Sequence, residues 1–168
     1  MIIGPLYVVD AIVVGLGATL LIDAWALFLR RAFSIPSLNY CLLGRWVLSL
    51  PDGTLVHESI SISPQKPHEC TVGWTTHYLI GTAFALFFVL LAPGRWLERP
   101  TLLPAVVFGI ATVLAPFFIM QPALGLGVAA SKTPYPSKAR LKSLMTHTVF
   151  GLGLYIWAYL LSHVMFPA

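Results

Sequence analysis

Four long apolar runs dominate the chain, and polar residues recur inside three of them at a helical interval. In the run that starts near Thr71, Gly73, His77, Gly81 and Ala85 follow one another at steps of four. Positions i and i+4 lie on one face of a helix. This spacing places His77 in a groove of small residues that a second helix can enter closely. In the first run, Ala11, Gly15, Thr19 and Asp23 repeat the design and end on a carboxylate. In the last, Ser143, His147, Gly151 and Tyr155 do the same.

The pattern predicts an all-α, integral membrane four-helix bundle with spans at about 6–29, 71–92, 102–122 and 143–165. Each run reaches the roughly 20 residues that a crossing needs. The third stretch, Leu102 to Ala130, holds no charge over 29 residues. As straight helix it would measure about 43 Å, longer than a hydrocarbon layer of about 30 Å. Pro116 denies the Thr112 carbonyl its donor, and Gln121-Pro122 with Gly125 and Gly127 marks a break. A kinked or broken third span is therefore expected.

Between the first two spans lies the largest polar region, residues 30–70. Ser37 to Leu50 mixes Leu38, Leu42 and Trp46 with Arg45, which fits an interfacial helix. Pro51-Asp52-Gly53 is a turn signal, and Ile60-Ser61-Ile62-Ser63 alternates as a short extended piece would. Pro93-Gly94 closes the second span, making the third its antiparallel neighbour.

Composition agrees with a membrane protein: 58% of the 168 residues are hydrophobic and 10% are charged. A soluble domain carries about 25% charged residues. The beginning, Met1-Ile-Ile-Gly-Pro5, lacks a basic n-region and reads as part of a retained helix. The formal charge of +4 comes from Lys and Arg at segment ends, where topology and anionic headgroups account for it; nucleic acid is not an expected partner. Eight of these residues flank loops 30–70 and 131–142, against Arg95 and Arg99 on the other side. Positive charge marks the cytoplasmic face. Both termini are then expected outside. Cys41 and Cys70 fall on the cytoplasmic side, where thiols stay reduced, so no structural disulfide is expected.

Counted from the charged ends, Asp23, His77 and His147 lie at similar depth, and Gln121 joins them from the third span. His68, Glu69 and Arg45 stand at the entrance to this layer, while His57 and Glu58 read as solvated loop residues. A charge at the centre of a membrane helix costs about 2.5 to 3.5 kcal/mol on insertion scales, so these groups turn inward and find partners. An aspartate with two histidines suits a proton, a small polar solute or a divalent metal with one open position. Two facing histidines also match axial ligation of haem iron. The alternative is interhelical glue. No Walker loop, dinucleotide fingerprint, nucleophile elbow or Cys-x-x-Cys pair occurs.

As a set, several local sequences resemble a family of small bacterial inner-membrane proteins known as a domain of unknown function. They are Gly17-Ala-Thr19 with Asp23 and Trp25, Gly44-Arg-Trp46, His57-Glu58, and Gly73-Trp74 with His77-Tyr78. Pro100 to Pro104, Ala115-Pro116, Gln121 to Gly127, Ala139-Arg140 and His147 with Phe150 to Gly153 complete it. The resemblance implies a four-helix inner-membrane protein and supplies no activity. Three functions remain open. The first is a solute-, proton- or metal-handling protein, expected to self-associate because four spans are few for a pathway. The second is a membrane-embedded, metal-dependent enzyme acting on a lipid or quinone, and the third an accessory or structural subunit.

Overall fold

A computed structural model describes residues 5–92 and 96–165. The Pro93-Gly94 stop, Arg95 and the first four residues lie outside the described residues. The described residues contain helices and turns but no strand. Helix α1 spans Pro5–Phe33, α2 Tyr40–Val47, α3 Glu69–Leu91, α4 Leu102–Ala111, α5 Gln121–Ala123 and α6 Pro136–Met165. Four stretches are long and apolar enough to cross a membrane: Tyr7–Phe33, Glu69–Leu91, Leu102–Ala123 and Pro136–Val164.

The chain divides into two compact units. Unit 1 holds Met1–Pro36, Tyr78–Thr112 and Met145–Ala168, and unit 2 holds Ser37–His77 and Val113–Leu144.

Unit 1 is a closed ring of helix pairs, and the rows of small residues make the closures. A Cβ on Gly15 of α1 would lie 2.8 Å from the Thr82 Cα and 2.9 Å from the Ala85 Cβ of α3. One on Gly81 would lie 2.0 Å from Thr19 Oγ1. Rising numbers on α1 thus meet falling numbers on α3, so the two pack antiparallel. The Phe88 ring of α3 meets the Phe108 ring of α4 at a tilt, with centroids 4.9 Å apart. Gly109 of α4 faces Gly151 of α6, where a Cβ would come within 2.5 Å of backbone. The ring closes where Gly153 of α6 abuts Ala18 and Gly17 abuts the Trp157 indole of the same helix. Lipid chains are as apolar as leucine, so close backbone approach and interhelical hydrogen bonds hold such helices together. The side chains of Ala11, Val14, Ala18, Ala85, Ala105, Phe150, Leu154 and Ala158 are almost wholly buried between them.

Unit 2 is built on a short crossing of α2 with the start of α3. Asn39 caps α2 by accepting a hydrogen bond from the Cys41 amide at 3.0 Å. A Cβ on Gly44 would fall 1.7 Å from the Glu69 carbonyl oxygen, and one on Gly73 would fall 1.8 Å from that of Tyr40. The two glycines therefore let the backbones touch. At that contact the Cα atoms of Cys41 and Cys70 are 3.9 Å apart and their sulfurs are bonded. This corrects the expectation of free thiols: the compartment rule spoke only to average redox conditions, whereas the glycine contact forces the two side chains together.

Two further expectations are revised in unit 2. Ile60 to Ser63 is a turn, not an extended piece, because its Ile60 and Ser63 carbonyls converge on the Arg45 guanidinium, each at 2.9 Å. The basic loop 131–142 is largely helical. Helix α6 starts at Pro136, whose missing amide costs nothing at the first helical position, and Ala139, Arg140 and Leu141 favour helix.

The third span breaks as its prolines and glycines predict. Beyond α4, Pro116–Met120 forms a π-helical turn that runs into α5, and Gly125 and Gly127 then take positive φ of 85° and 74°. A Cβ on Gly125 would lie 2.1 Å from the Glu58 carbonyl oxygen. The stretch also recruits the polar region: the His57 and Ile60 amides donate to the Ala123 and Leu124 carbonyls at 2.9 and 3.1 Å. Protein thereby satisfies two carbonyls of the irregular stretch, as a backbone break inside a bilayer requires.

Candidate functional site

Each small-residue row delivers its polar residue to a partner on the facing helix. Asp23, half-buried at the end of the α1 row, accepts a hydrogen bond from the Tyr78 hydroxyl at 2.8 Å. The register of the rows dictates this pair: Gly15 meets Ala85, Thr19 meets Gly81, and Asp23 arrives at Tyr78.

His147 is placed in the same way on α6. Where Gly151 meets Gly109, the next turn brings the His147 Nδ1 to 2.7 Å from Thr112 Oγ1. That hydroxyl already donates its one proton to the Gly109 carbonyl at 2.6 Å. The bond to His147 is therefore donated by Nδ1–H, which leaves Nε2 as the ring's acceptor.

In unit 2, His77 stacks on Tyr40 with centroids 4.1 Å apart and an interplanar angle of 25°, and meets the edge of Trp74 at 6.0 Å. Arg45 and Glu69, expected at an entrance, form a buried ion pair instead. Arg45 Nε and Nη2 donate to the two Glu69 carboxylate oxygens, both at 2.8 Å, and the Lys66 amide adds a third bond at 2.9 Å. With side chains 5% and 11% exposed, the pair is shielded from water on both sides. The bonds to Glu69 raise the pKa of Arg45 further, against the opposing effect of burial. It is a fixed charge and not a proton carrier. His68 is exposed with a φ of 60° at the turn into α3. Lys66 pairs with Asp52 on the surface.

Gln121 differs from all of these. Its residue is 6% exposed, at the point where the π-helical turn ends, and its Oε1 has no hydrogen-bond partner. The Nε2 reaches Ser143 Oγ only at 3.5 Å. Exchanging the amide ends does not help, because whichever atom faces Ser143 leaves the other unmet. His57 lies in the segment that hydrogen-bonds the next residues of the same break, and its Nδ1 is likewise buried without a partner. Buried polar atoms are nearly always paired with protein, water or a ligand. A π-turn is also a frequent mark of a functional position. Gln121 thus has unspent hydrogen-bonding capacity.

Sequence reasoning passed over three participants. Tyr78 lies one residue from His77 and Thr112 is one of many hydroxyls, and only the register of the facing rows singles them out. Asp10 is a second carboxylate of α1, 8% exposed. Its signal, an acid inside an apolar run, was plain in the sequence. Among the described residues no group of three or more His, Cys, Asp or Glu side chains is arranged to hold a metal ion.

Together these features define a polytopic all-helical membrane protein with internal polar pairs and, among the described residues, an unmet buried amide at Gln121. The chain belongs to the family described as "Protein of unknown function (DUF2938)", whose model matches residues 12–161. No curated protein matches it. No solved structure matches it either.

Proposed function

We propose that this is a solute-handling protein of the bacterial inner membrane in which Gln121 receives a small, hydrogen-bond-donating solute. The observation that carries the reading is the buried Gln121 Oε1, unmet beside a π-helical turn. An acceptor of this kind selects molecules that bring N–H or O–H groups and excludes purely apolar ones, because an unmade buried hydrogen bond costs about 1–3 kcal/mol. The Nδ1 of His57 offers a second site of adaptable sense, donor or acceptor by tautomer.

In this reading Asp23 with Tyr78, and His147 with Thr112, fix helix register, while His77 braces α3 on Tyr40. We assign no metal or haem to them. The bias of eight basic residues to two supports a cytoplasmic position for loops 30–70 and 131–142, with both termini periplasmic. Self-association to complete a pathway belongs to the same proposal.

The test is osmotic flux in proteoliposomes, read by light scattering with urea and glycerol and by a pH dye after an ammonium pulse. Wild type should exceed protein-free vesicles for at least one of the three. Gln121→Leu should lose that excess while keeping its size-exclusion profile. No excess for any of them removes the reading. The internal pairing of Asp23 and His147 favours a second one, an accessory subunit whose polar groups only set register. There, Gln121→Leu changes stability and nothing else.

A further inference from the structure

We propose that Cys41 and Cys70 form a redox-active pair that exchanges with a soluble protein dithiol, making the α2–α3 crossing a reversible covalent latch. Three observations point this way. The sulfurs are bonded where Gly44 and Gly73 bring the helix backbones into contact, so the pair is positioned by backbone packing and closes without a search. Cys70 is exposed and Cys41 partly so, which leaves the bond within reach of an attacking thiolate. Cys70 is the second residue of the 23-residue helix α3, where free amides and the helix dipole stabilise a thiolate. The inference rests besides on the orientation proposed above, which puts this face in the cytoplasm, a compartment in which disulfides that persist are transient and redox-responsive.

The chemistry balances with the dithiol as reductant. Its thiolate attacks the exposed Cys70 Sγ, and a mixed disulfide forms as Cys41 leaves as thiolate and takes a proton. The second thiol of the dithiol then attacks its own sulfur in the mixed disulfide and expels Cys70 as a thiolate held by the α3 amino terminus. Two electrons pass to the pair, and the reductant departs as a disulfide. Reoxidation by a disulfide of the same class runs the steps backward.

The Arg45–Glu69 pair and the two glycine contacts hold the same crossing without involving the sulfurs. The crossing therefore survives reduction but loses its covalent tie. Exposure is what exchange with a soluble dithiol requires.

The experiment uses the full chain in mild detergent, with thiols counted by maleimide-polyethylene glycol gel shift after acid quench. Thioredoxin with its reductase and NADPH should reduce the pair completely without altering the size-exclusion volume, and oxidised glutathione should restore it. In Cys41→Ser the remaining Cys70 thiol should label about tenfold faster at neutral pH than the Cys41 thiol of Cys70→Ser. A single-cysteine thioredoxin, which lacks the second thiol needed to complete the exchange, should be trapped on the oxidised wild-type pair as a mixed disulfide that peptide mapping places on Cys70. The proposal is overturned if the bond opens only in denaturant, or if oxidation leaves two free thiols. It is equally overturned if the adduct forms on Cys41, or if the pair in intact cells is always oxidised and is reached by impermeant reagents from outside.

Discussion

Replacing Arg45 by methionine tests the energetics of unit 2 most sharply. The substitution keeps the aliphatic stem and removes the guanidinium, together with its two bonds to Glu69 and its bonds to the Ile60 and Ser63 carbonyls. Glu69 would then keep the Lys66 amide as a donor but no counter-charge, at 11% side-chain exposure. Breaking a buried pair from one side typically costs about 3–5 kcal/mol, because the surviving ion stays desolvated without its partner. We expect Arg45→Met to fall in that range, with Glu69→Gln lower in it because a neutral amide leaves a weaker field around Arg45. Arg45→Met combined with Glu69→Leu should recover most of the loss, since neither charge remains. The assay is denaturant unfolding in mixed micelles, followed by fluorescence of Trp46 and Trp74, with the disulfide intact and reduced. The cysteines stand 29 residues apart. Cross-linking a loop of that length is worth about 3–4 kcal/mol on the chain-entropy account, so reduction alone should lower stability by about that amount. A single-variant cost below about 1 kcal/mol would mean that water screens the pair. Strict additivity in the double variant would mean that the two residues do not act on each other. Either result refutes the reasoning.

The glycine contacts should tolerate no side chain. Gly44→Ala and Gly73→Ala place a Cβ against backbone oxygen at 1.7 and 1.8 Å, so both should lose the monodisperse size-exclusion peak, while Gly53→Ala, with open space around its Cβ but a φ of 76°, should keep it at reduced stability. Tyr78→Phe removes the donor to Asp23 and should cost about 1–2 kcal/mol in the same unfolding assay. Thr112→Val takes the Nδ1 acceptor from His147 and should cost about 0.6–1.7 kcal/mol, with the His147 ring proton resonances shifting in NMR as the tautomer is released. Both are expected to leave the helix content in circular dichroism unchanged.

The rows of small residues were legible because an interval of four is a property of the helix itself and needs no partner to be seen. What they meet was not. Tyr78 and Thr112 become special only once α1 faces α3 and α4 faces α6 in a definite register, and a single sequence carries no pairing information. The third-span break was readable from Pro116 and the Gln121-Pro122 pair, since proline acts on its own backbone. Gln121 could be singled out by its depth, though its unmet oxygen is a fact of the packed structure. Cys41 and Cys70 were misjudged because the argument ran from compartment alone and ignored the Cys-x-x-Gly spacing that each shares, Cys41 with Gly44 and Cys70 with Gly73. That shared spacing was the available signal, as it sets both sulfurs one turn from the points of backbone contact. Arg45 was placed at an entrance because a charge next to Trp46 suits a headgroup region. Its carboxylate partner lies 24 residues away and no local pattern announces it.

The account rests on Gln121 having a partner that the protein does not itself supply. The most direct measurement is an experimental density map of the wild-type protein in lipid, sharp enough to show ordered solvent around that side chain. We predict non-protein density within about 3 Å of the free end of the Gln121 amide, a typical hydrogen-bond distance, and its disappearance in Gln121→Leu. A map in which protein groups satisfy both ends of the amide, with nothing else beside it, would contradict the account.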